Sequence, residues 1–379
     1  MAHRVEKIPL MSPGPGNERH LVVHRFGKPG ARPKFYFQAA LHADELPGSL
    51  VLNRMLSWLK EADEGGDLNG EFVIVPLANP VGLANRILNY HLGRFDLGGD
   101  GNFNRWYPDL GAVIAKGVGD LLTDDREANT RIIRQALLDA VAEWSAGGEA
   151  NQLRKTLLGL SIDSDFVFDL HCHGEGIAYI YFPQAIWPCY SDLAAELGCR
   201  TILLFDATEG TAFENAAAVA WSTIRRSFPD REIADAPFTT TLELRGQSDV
   251  GADMARDDAS ALWRFLVRHG FIAGDPVPPP DLLCQPTPLA GSDNLVAPVA
   301  GVVSYRLAPG DRVEAGMVVA DIVDPAEADW ETARTPVASR ASGILYGRRL
   351  SRLVRPGQSF AVVSGPEELP PPDHPVHDW

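Results

Sequence analysis

Between Lys34 and Gly270 the chain switches repeatedly between two hydrophobic periods. Short apolar runs at 34–41, 71–77, 165–170, 177–182, 201–205 and 238–244 are rich in Val, Ile, Phe and Tyr and carry few charges. Such runs read as strands covered on both faces. Segments with apolar residues at helical spacing separate them. After Pro47, which suits a first helical turn, Leu50, Val51, Met55, Trp58 and Leu59 form one stripe. A second helix is expected over 123–144, with Ile132, Ile133, Leu137, Val141 and Trp144 on one face and Thr123 or Asp124 as its cap. A third is expected over 252–269. Strands that alternate with helices close into one sheet covered on both sides. The pattern predicts an α/β fold with a mainly parallel, mixed sheet and helices on both faces.

The alternation stops at Gly274-Asp-Pro-Val-Pro-Pro-Pro280, which cannot continue a helix and has the composition of a stiff linker. The expected division is 1–273 for the α/β part, 274–282 for the linker, 283–365 for a small all-β unit and 366–379 for a proline-rich, disordered tail. The small unit contains an internal repeat. Pro298-Val-Ala-Gly301-Val-Val with Arg312-Val-Glu-Ala-Gly316 echoes Arg340-Ala-Ser-Gly343-Ile-Leu with Val354-Arg-Pro-Gly357. Two such halves would pair into a small barrel or sandwich resembling a biotinyl or lipoyl carrier. A carrier must offer a lysine for its cofactor amide, yet no lysine follows Lys155, so a swinging arm is chemically excluded. Packing, or control of access to a substrate site, remains.

A length of 379 residues, with 45% hydrophobic content, is enough for two cores. Fifty acidic against 34 basic residues give a formal charge of -16, which repels phosphate backbones and argues against nucleic acid or an anionic membrane as partner. Met1 to Leu21, broken by Pro9, Pro13 and Pro15, lacks the apolar centre of a signal peptide. Cys172, Cys189, Cys199 and Cys284 show no paired metal spacing and are too few for a disulfide framework. These features lead us to expect a reduced, cytoplasmic protein. Its oligomeric state is open, homo-oligomers being common among soluble enzymes.

Two apolar strands end in chemistry. The first runs through Phe35 into a loop that places His42 and Glu45 three residues apart, before Pro47. An imidazole and a carboxylate at that spacing can converge on one cation, leaving zinc to take a third ligand elsewhere and water in the fourth position. The third candidate is His171, which ends Asp165-Phe-Val-Phe-Asp-Leu-His171, with Asp169 placed to orient it. His173 shares that face by strand alternation and is a rival, and His171 is preferred because it directly ends the strand.

The marks His42-Ala-Asp-Glu45, Asn79-Pro80, Asp100-Gly-Asn-Phe-Asn-Arg105, Asp169-Leu-His171 and Thr241-Leu-Glu243 stand in that order along the chain. In this the sequence resembles the succinylglutamate desuccinylase and aspartoacylase family of the zinc carboxypeptidase clan, over most of 34–363. Its Asp100–Arg105 stretch and β-rich end look most like the branch with N-acetyl-diaminobutyrate deacetylase-like proteins. The resemblance implies a zinc carboxypeptidase-like fold and one zinc ion per chain on His42, Glu45 and His171. It further implies Glu243 as general base and acid and Asn104 with Arg105 as a clamp on a substrate carboxylate. Arg94 would stabilise the oxyanion, although the stretch from Arg94 to Arg105 is longer than in typical relatives, which leaves Arg86 open for that task. The expected activity is hydrolysis of the amide of a small N-acylated amino acid or related amine. A metallocarboxypeptidase and a catalytically silent binding protein are the rival expectations.

Overall fold

The computed structural model describes residues 3–206 and 210–370. In chain order, β1 (Arg4–Pro9), β2 (His20–Gly27), β3 (Lys34–Ala39) and β4 (Glu71–Val75) precede two short hairpins. These are β5 (Arg86–Ile87) with β6 (Tyr90–His91), and β7 (Phe95–Asp96) with β8 (Gly101–Asn102). Then come β9 (Phe166–His173), β10 (Glu175–Gly176), β11 (Ala178–Pro183), β12 (Thr201–Phe205), β13 (Phe238–Gly246) and β14 (Thr287–Pro288). The helices are α1 (Pro47–Gly65), α2 (Pro80–Leu83), α3 (Leu110–Val118), α4 (Arg126–Glu143), α5 (Glu149–Ser161), α6 (Trp187–Tyr190), α7 (Asp192–Glu196), α8 (Phe213–Ser227) and α9 (Ala252–Arg268). Among the described residues, no helix is long and apolar enough to cross a membrane.

The main sheet has the order β1-β2-β4-β3-β9-β13-β11-β12-β14. Its centre, β4-β3-β9-β13, is parallel. Direction reverses between β13 and β11, and again where β2 and β1 extend the other edge, so the sheet is mixed. The β1–β2 hairpin lies in the stretch whose prolines hide its strand pattern; Leu21 and Val23 are buried with exposed residues between them, the alternation of a half-covered edge.

Strand alternation explains why the central runs look uniformly apolar. Tyr36, Val73, Val75 and Val167 face one layer, packed with residues of α3, α4, α5 and α8. Phe35, Phe37, Phe72, Ile74, Phe166 and Phe168 face the other, against α1 and α9. Neighbouring strands stack their rings, Phe35 on Phe72 at 4.5 Å and Phe37 on Phe168 at 4.4 Å. Each fully buried ring contributes about 1.5–3 kcal/mol of transfer free energy. Helix α4 is capped one or two residues later than expected: the Asp125 carboxylate accepts from the Ala128 N–H at 2.8 Å, while Thr123 is bonded to Asn129.

Residues 274–286 carry no helix or strand, and β14 then returns to the edge of the main sheet beside β12. The remaining strands are β15 (Asp293–Val296), β16 (Gly301–Tyr305), β17 (Arg312–Val313), β18 (Val318–Val323), β19 (Arg334–Ala338), β20 (Gly343–Arg348), β21 (Leu353–Val354) and β22 (Ser359–Ser364). They form two sheets around their own apolar core, which includes Leu295, Val303, Ile322, Leu345 and Phe360. The sequence repeat has a structural meaning: β16 of the first half pairs with β21 of the second, and β20 of the second pairs with β17 of the first. The expected disorder of 366–379 lies outside the described residues from 371 onward; before that, the Leu369 N–H donates to the Ala290 carbonyl at 2.9 Å and its side chain packs on this core.

The two parts interlock. Strand β10 of the α/β part pairs with β20, and Tyr179 and Leu203 pack with Tyr346 and Val362. Gly347 makes this approach possible, because a Cβ there would stand 2.6 Å from the His173 ring.

Candidate active site

Strands β3 and β9 are parallel neighbours, and their carboxyl ends open on the same side of the sheet, the usual place for a site in such folds. As β3 ends, Ala40 takes a positive φ of 58°, a conformation that turns the chain sharply out of the sheet and costs a non-glycine residue strain. The following loop is pinned from two sides. Asn79 donates to the Leu41 carbonyl at 2.8 Å, while the Ala43 N–H donates to the Gly93 carbonyl at 3.0 Å. A turn from the Glu45 N–H to the His42 carbonyl, 3.0 Å, brings both side chains to one side.

There they meet His171. The His42 Nδ1 lies 3.0 Å from one Glu45 oxygen and the His171 Nδ1 lies 2.8 Å from the other. All three residues are buried, and one ligand atom from each falls within 4.8 Å of the others, so the group could hold a metal ion. The outer nitrogens support this. The Asn102 Oδ1 accepts from the Asn104 N–H at 2.8 Å, which fixes it as the oxygen end of the amide. The His42 Nε2 stands 2.9 Å from this oxygen, an acceptor for its proton when Nδ1 gives its lone pair to a metal ion. On the other imidazole the Nε2 lies 3.0 Å from Asp169 Oδ2, whose partner oxygen accepts from Gln38 at 3.0 Å. Two imidazoles, each with an oxygen about 3 Å from its outer nitrogen, and one carboxylate make a donor set that could hold a divalent metal ion. His173 also lines the cavity, but its Nδ1 is 3.2 Å from the Tyr179 hydroxyl and it is not one of the converging three.

Burial favours neutral groups here, and close charges oppose it. Burial would raise Glu45, yet His42 and His171 hold it well below the usual carboxylate range. Burial would lower His171, but Asp169 and Glu45 take it well above the ordinary imidazole value. For His42, burial and then Arg94 give a net lowering.

Four further expected residues open into the same cavity of about 600 Å³. Arg94 Nη2 donates to Glu45 Oε1 at 3.2 Å, and its Nη1 lies 3.1 Å from His42 Nε2. It is aimed by Gly93, where a Cβ would stand 2.1 Å from the Asp44 backbone nitrogen. Arg86 is exposed on the β5 hairpin and does not line the cavity. Glu243 sits beside His171 in the β9–β13 register, immediately before a bulge. After it, Arg245 has a φ of 65° and turns to pair with Asp258, so it does not pair with Glu243. Burial, followed by the Glu45 charge, pushes the Glu243 carboxyl up to about 8. Asn104 accepts from the Phe213 N–H at 2.7 Å and extends its amide nitrogen to within 3.4 Å of Glu214. Arg105 donates to the Asn104 carbonyl at 2.8 Å.

Sequence reasoning passed over Asn102, Arg154, Tyr179 and Glu214. Asn102 lies inside the motif that carries Asn104 and Arg105, but nothing in its spacing reveals an imidazole 60 residues away. Arg154, fully buried on α5, donates to the Asp100 and Asn102 carbonyls and so holds that loop. Tyr179 faces Glu243 across β11 and β13. The C-terminal unit supplies part of the cavity wall, including Asn294, Tyr346, Arg349 and Ser359.

Residues 31–268 match the family model of the succinylglutamate desuccinylase/aspartoacylase catalytic domain. The chain belongs to this family. As a succinylglutamate desuccinylase/aspartoacylase family member it is similar over nearly its whole length to solved structures. A family protein from Shewanella amazonensis SB2B is 25% identical, with a TM-score of 0.82 over 95% of this chain and 98% of that one. One from Shewanella frigidimarina NCIMB 400 is 22% identical, with a TM-score of 0.81 over 96% and 97%. A product-bound structure of the ectoine utilization protein EutE from Ruegeria pomeroyi, 15% identical, shares the fold with a TM-score of 0.64 over 96% of this chain and 94% of its own. Among curated proteins no match is found. The family comprises deacylases, so amide hydrolysis is the chemistry its fold carries.

Proposed function

We propose that this protein is a zinc-dependent hydrolase that cleaves the amide of a small N-acylated amino acid or related amine, releasing a carboxylic acid and the free amine. The observation that carries this reading is the convergence of His42 Nδ1, Glu45 and His171 Nδ1 in one cavity with Glu243, Arg94 and Arg105. Those three side chains would hold the ion, which supplies Lewis acidity toward the scissile carbonyl and toward a water molecule.

Glu243 then takes a proton from the attacking water and returns it to the departing nitrogen. Its raised proton affinity, set by burial beside Glu45, suits a group that must both accept and release a proton near neutrality. A nearby cation would draw it back down toward the carboxylate form. The Arg94 guanidinium, already directed at Glu45, stands ready to stabilise negative charge on the carbonyl oxygen. Arg105, positioned by Asn104, would take the substrate carboxylate through two parallel hydrogen bonds. Tyr346 and Arg349 of the C-terminal unit add to the wall of this cavity of about 600 Å³, which favours small substrates over a polypeptide chain.

Glu243→Gln separates chemistry from metal binding. Turnover of N-acyl amino acids should fall by about 10²- to 10⁴-fold, while zinc content measured by atomic absorption stays at one per chain. Near-normal turnover with zinc bound would remove Glu243 from its role. Faster cleavage of longer peptides than of acetyl or succinyl amino acids would replace the deacylase by a peptidase.

A further inference from the structure

Among the described residues, Glu214 is the one carboxylate lining the cavity that neither the metal group nor the proton transfer uses. It stands in the first turn of α8. Among the described residues no salt bridge closes on its carboxylate; the Asn104 amide nitrogen stands at a long 3.4 Å, and its own backbone N–H with the more distant charges of His171 and Arg105 favours the carboxylate form. Burial, with Asp169 nearby, raises its proton affinity. An acid held in such a place is destabilising unless something charged and positive meets it.

The neighbour that matters is Arg105. Both residues are organised by Asn104, whose carbonyl accepts from Arg105 at 2.8 Å and whose amide reaches toward Glu214. The cavity lining therefore includes a cation and an anion that both touch Asn104. A substrate with only a carboxylate uses the first and leaves the second desolvated and unmatched. A free α-amino acid head uses both, since its carboxylate and ammonium are attached to the same carbon. Asn215, next to Glu214 in the lining, has a buried side-chain oxygen with no hydrogen-bond partner among the described residues, a further acceptor at the same end.

We propose that Glu214 binds the α-ammonium group of the substrate, which makes the preferred substrates diamino acids acylated on the side-chain nitrogen, with the α-amino acid head left free. This rests on the reading of the site as a deacylase and narrows it. The reaction is the same: water adds to the acyl carbon, the carbon–nitrogen bond breaks, and the side-chain amine leaves with the proton that Glu243 carried. The amino acid head takes no part in bond making and serves to anchor.

The test compares Nδ-acetylornithine with 5-acetamidopentanoate, which keeps the carboxylate and the amide and lacks the ammonium. The zinc-loaded enzyme should favour the former in kcat/KM by at least tenfold, as expected for a charge-assisted hydrogen bond in a desolvated site. Glu214→Gln should abolish that preference by lowering kcat/KM for Nδ-acetylornithine while leaving 5-acetamidopentanoate within a few-fold of wild type, which also shows that the variant is folded. Equal use of the two compounds by the wild-type enzyme overturns the proposal, as does an unchanged ratio in Glu214→Gln. A preference for Nα-acetylornithine over its Nδ isomer overturns it as well. Failure of the wild type on every acyl amino acid would instead strike the deacylase reading itself.

Discussion

Asn102 shows how a metal site depends on a residue that touches no metal. Its oxygen is fixed by the Asn104 N–H and lies 2.9 Å from His42 Nε2, where it would accept the outer proton when the inner nitrogen binds a metal ion. Asn102→Ala removes that acceptor without altering the three converging side chains. Zinc affinity, measured by competition with a chromophoric chelator, should fall by about 10- to 100-fold, with the folded structure unchanged by circular dichroism. His42, Glu45 and His171 were legible in the sequence as candidates because the first two follow β3 and the third lies near the carboxyl end of β9, and strand ends are where such folds place their ligands. Asn102 was not, because its partner is fixed by a loop path through β8 and by Arg154 on α5, and neither leaves a periodic trace. Glu243 gave a similar lesson: as a strand residue it could have paired with Arg245, and it is the bulge and positive φ at Arg245 that send that cation to Asp258.

At the level of elements, the metal loop is shaped by contact between two segments of irregular chain. Gly93 lies against the Ala43–Asp44 backbone, where any side chain would collide, and it precedes Arg94. Gly93→Ala should destabilise the protein by about 1–3 kcal/mol, the usual range for overpacking, as read by urea unfolding. It should also lower kcat more than it raises KM, because Arg94 moves off Glu45 while the carboxylate clamp at Arg105 stays in place. An unchanged kcat would show that Arg94 is placed by something other than this contact. Helix α9 followed from periodicity to within a residue, and the start of α1 from Pro47, while α1 runs on past the Leu59 end of its stripe to Gly65. The reversal of β11 could not be read, because a buried apolar strand carries no mark of its direction.

Taken whole, the molecule is one large sheet with a smaller β unit drawn against its active face, joined through β10 and β20. That unit has an acid-sensitive point of its own. Asp321 is buried, and hydrogen bonds from Arg306, with Arg334 adding to them against the opposing effect of burial, hold its carboxyl below the usual range. Because the folded value is depressed, the contribution is complete above the unfolded value, near pH 4, and is lost as pH falls through the folded one. Thermal unfolding followed by circular dichroism should show the midpoint falling in that window for the native chain. Asp321→Asn should start less stable at neutral pH and lose part of that acid dependence; an identical pH profile would exclude the pair as its source.

The amino-acid sequence by itself determined the two-sided sheet, the order of its motifs, the proline break after Gly274 and the types of residue available for chemistry. These follow from local period and composition, which act over a few neighbours. Tertiary structure alone decided which strands reverse, which oxygen stands beside His42, that Arg94 and not Arg86 reaches the candidate ligands, and that Glu214 and Arg105 line the same cavity. Those outcomes depend on contacts between residues tens to hundreds of positions apart, set by how the whole chain packs, and no short stretch of sequence carries them.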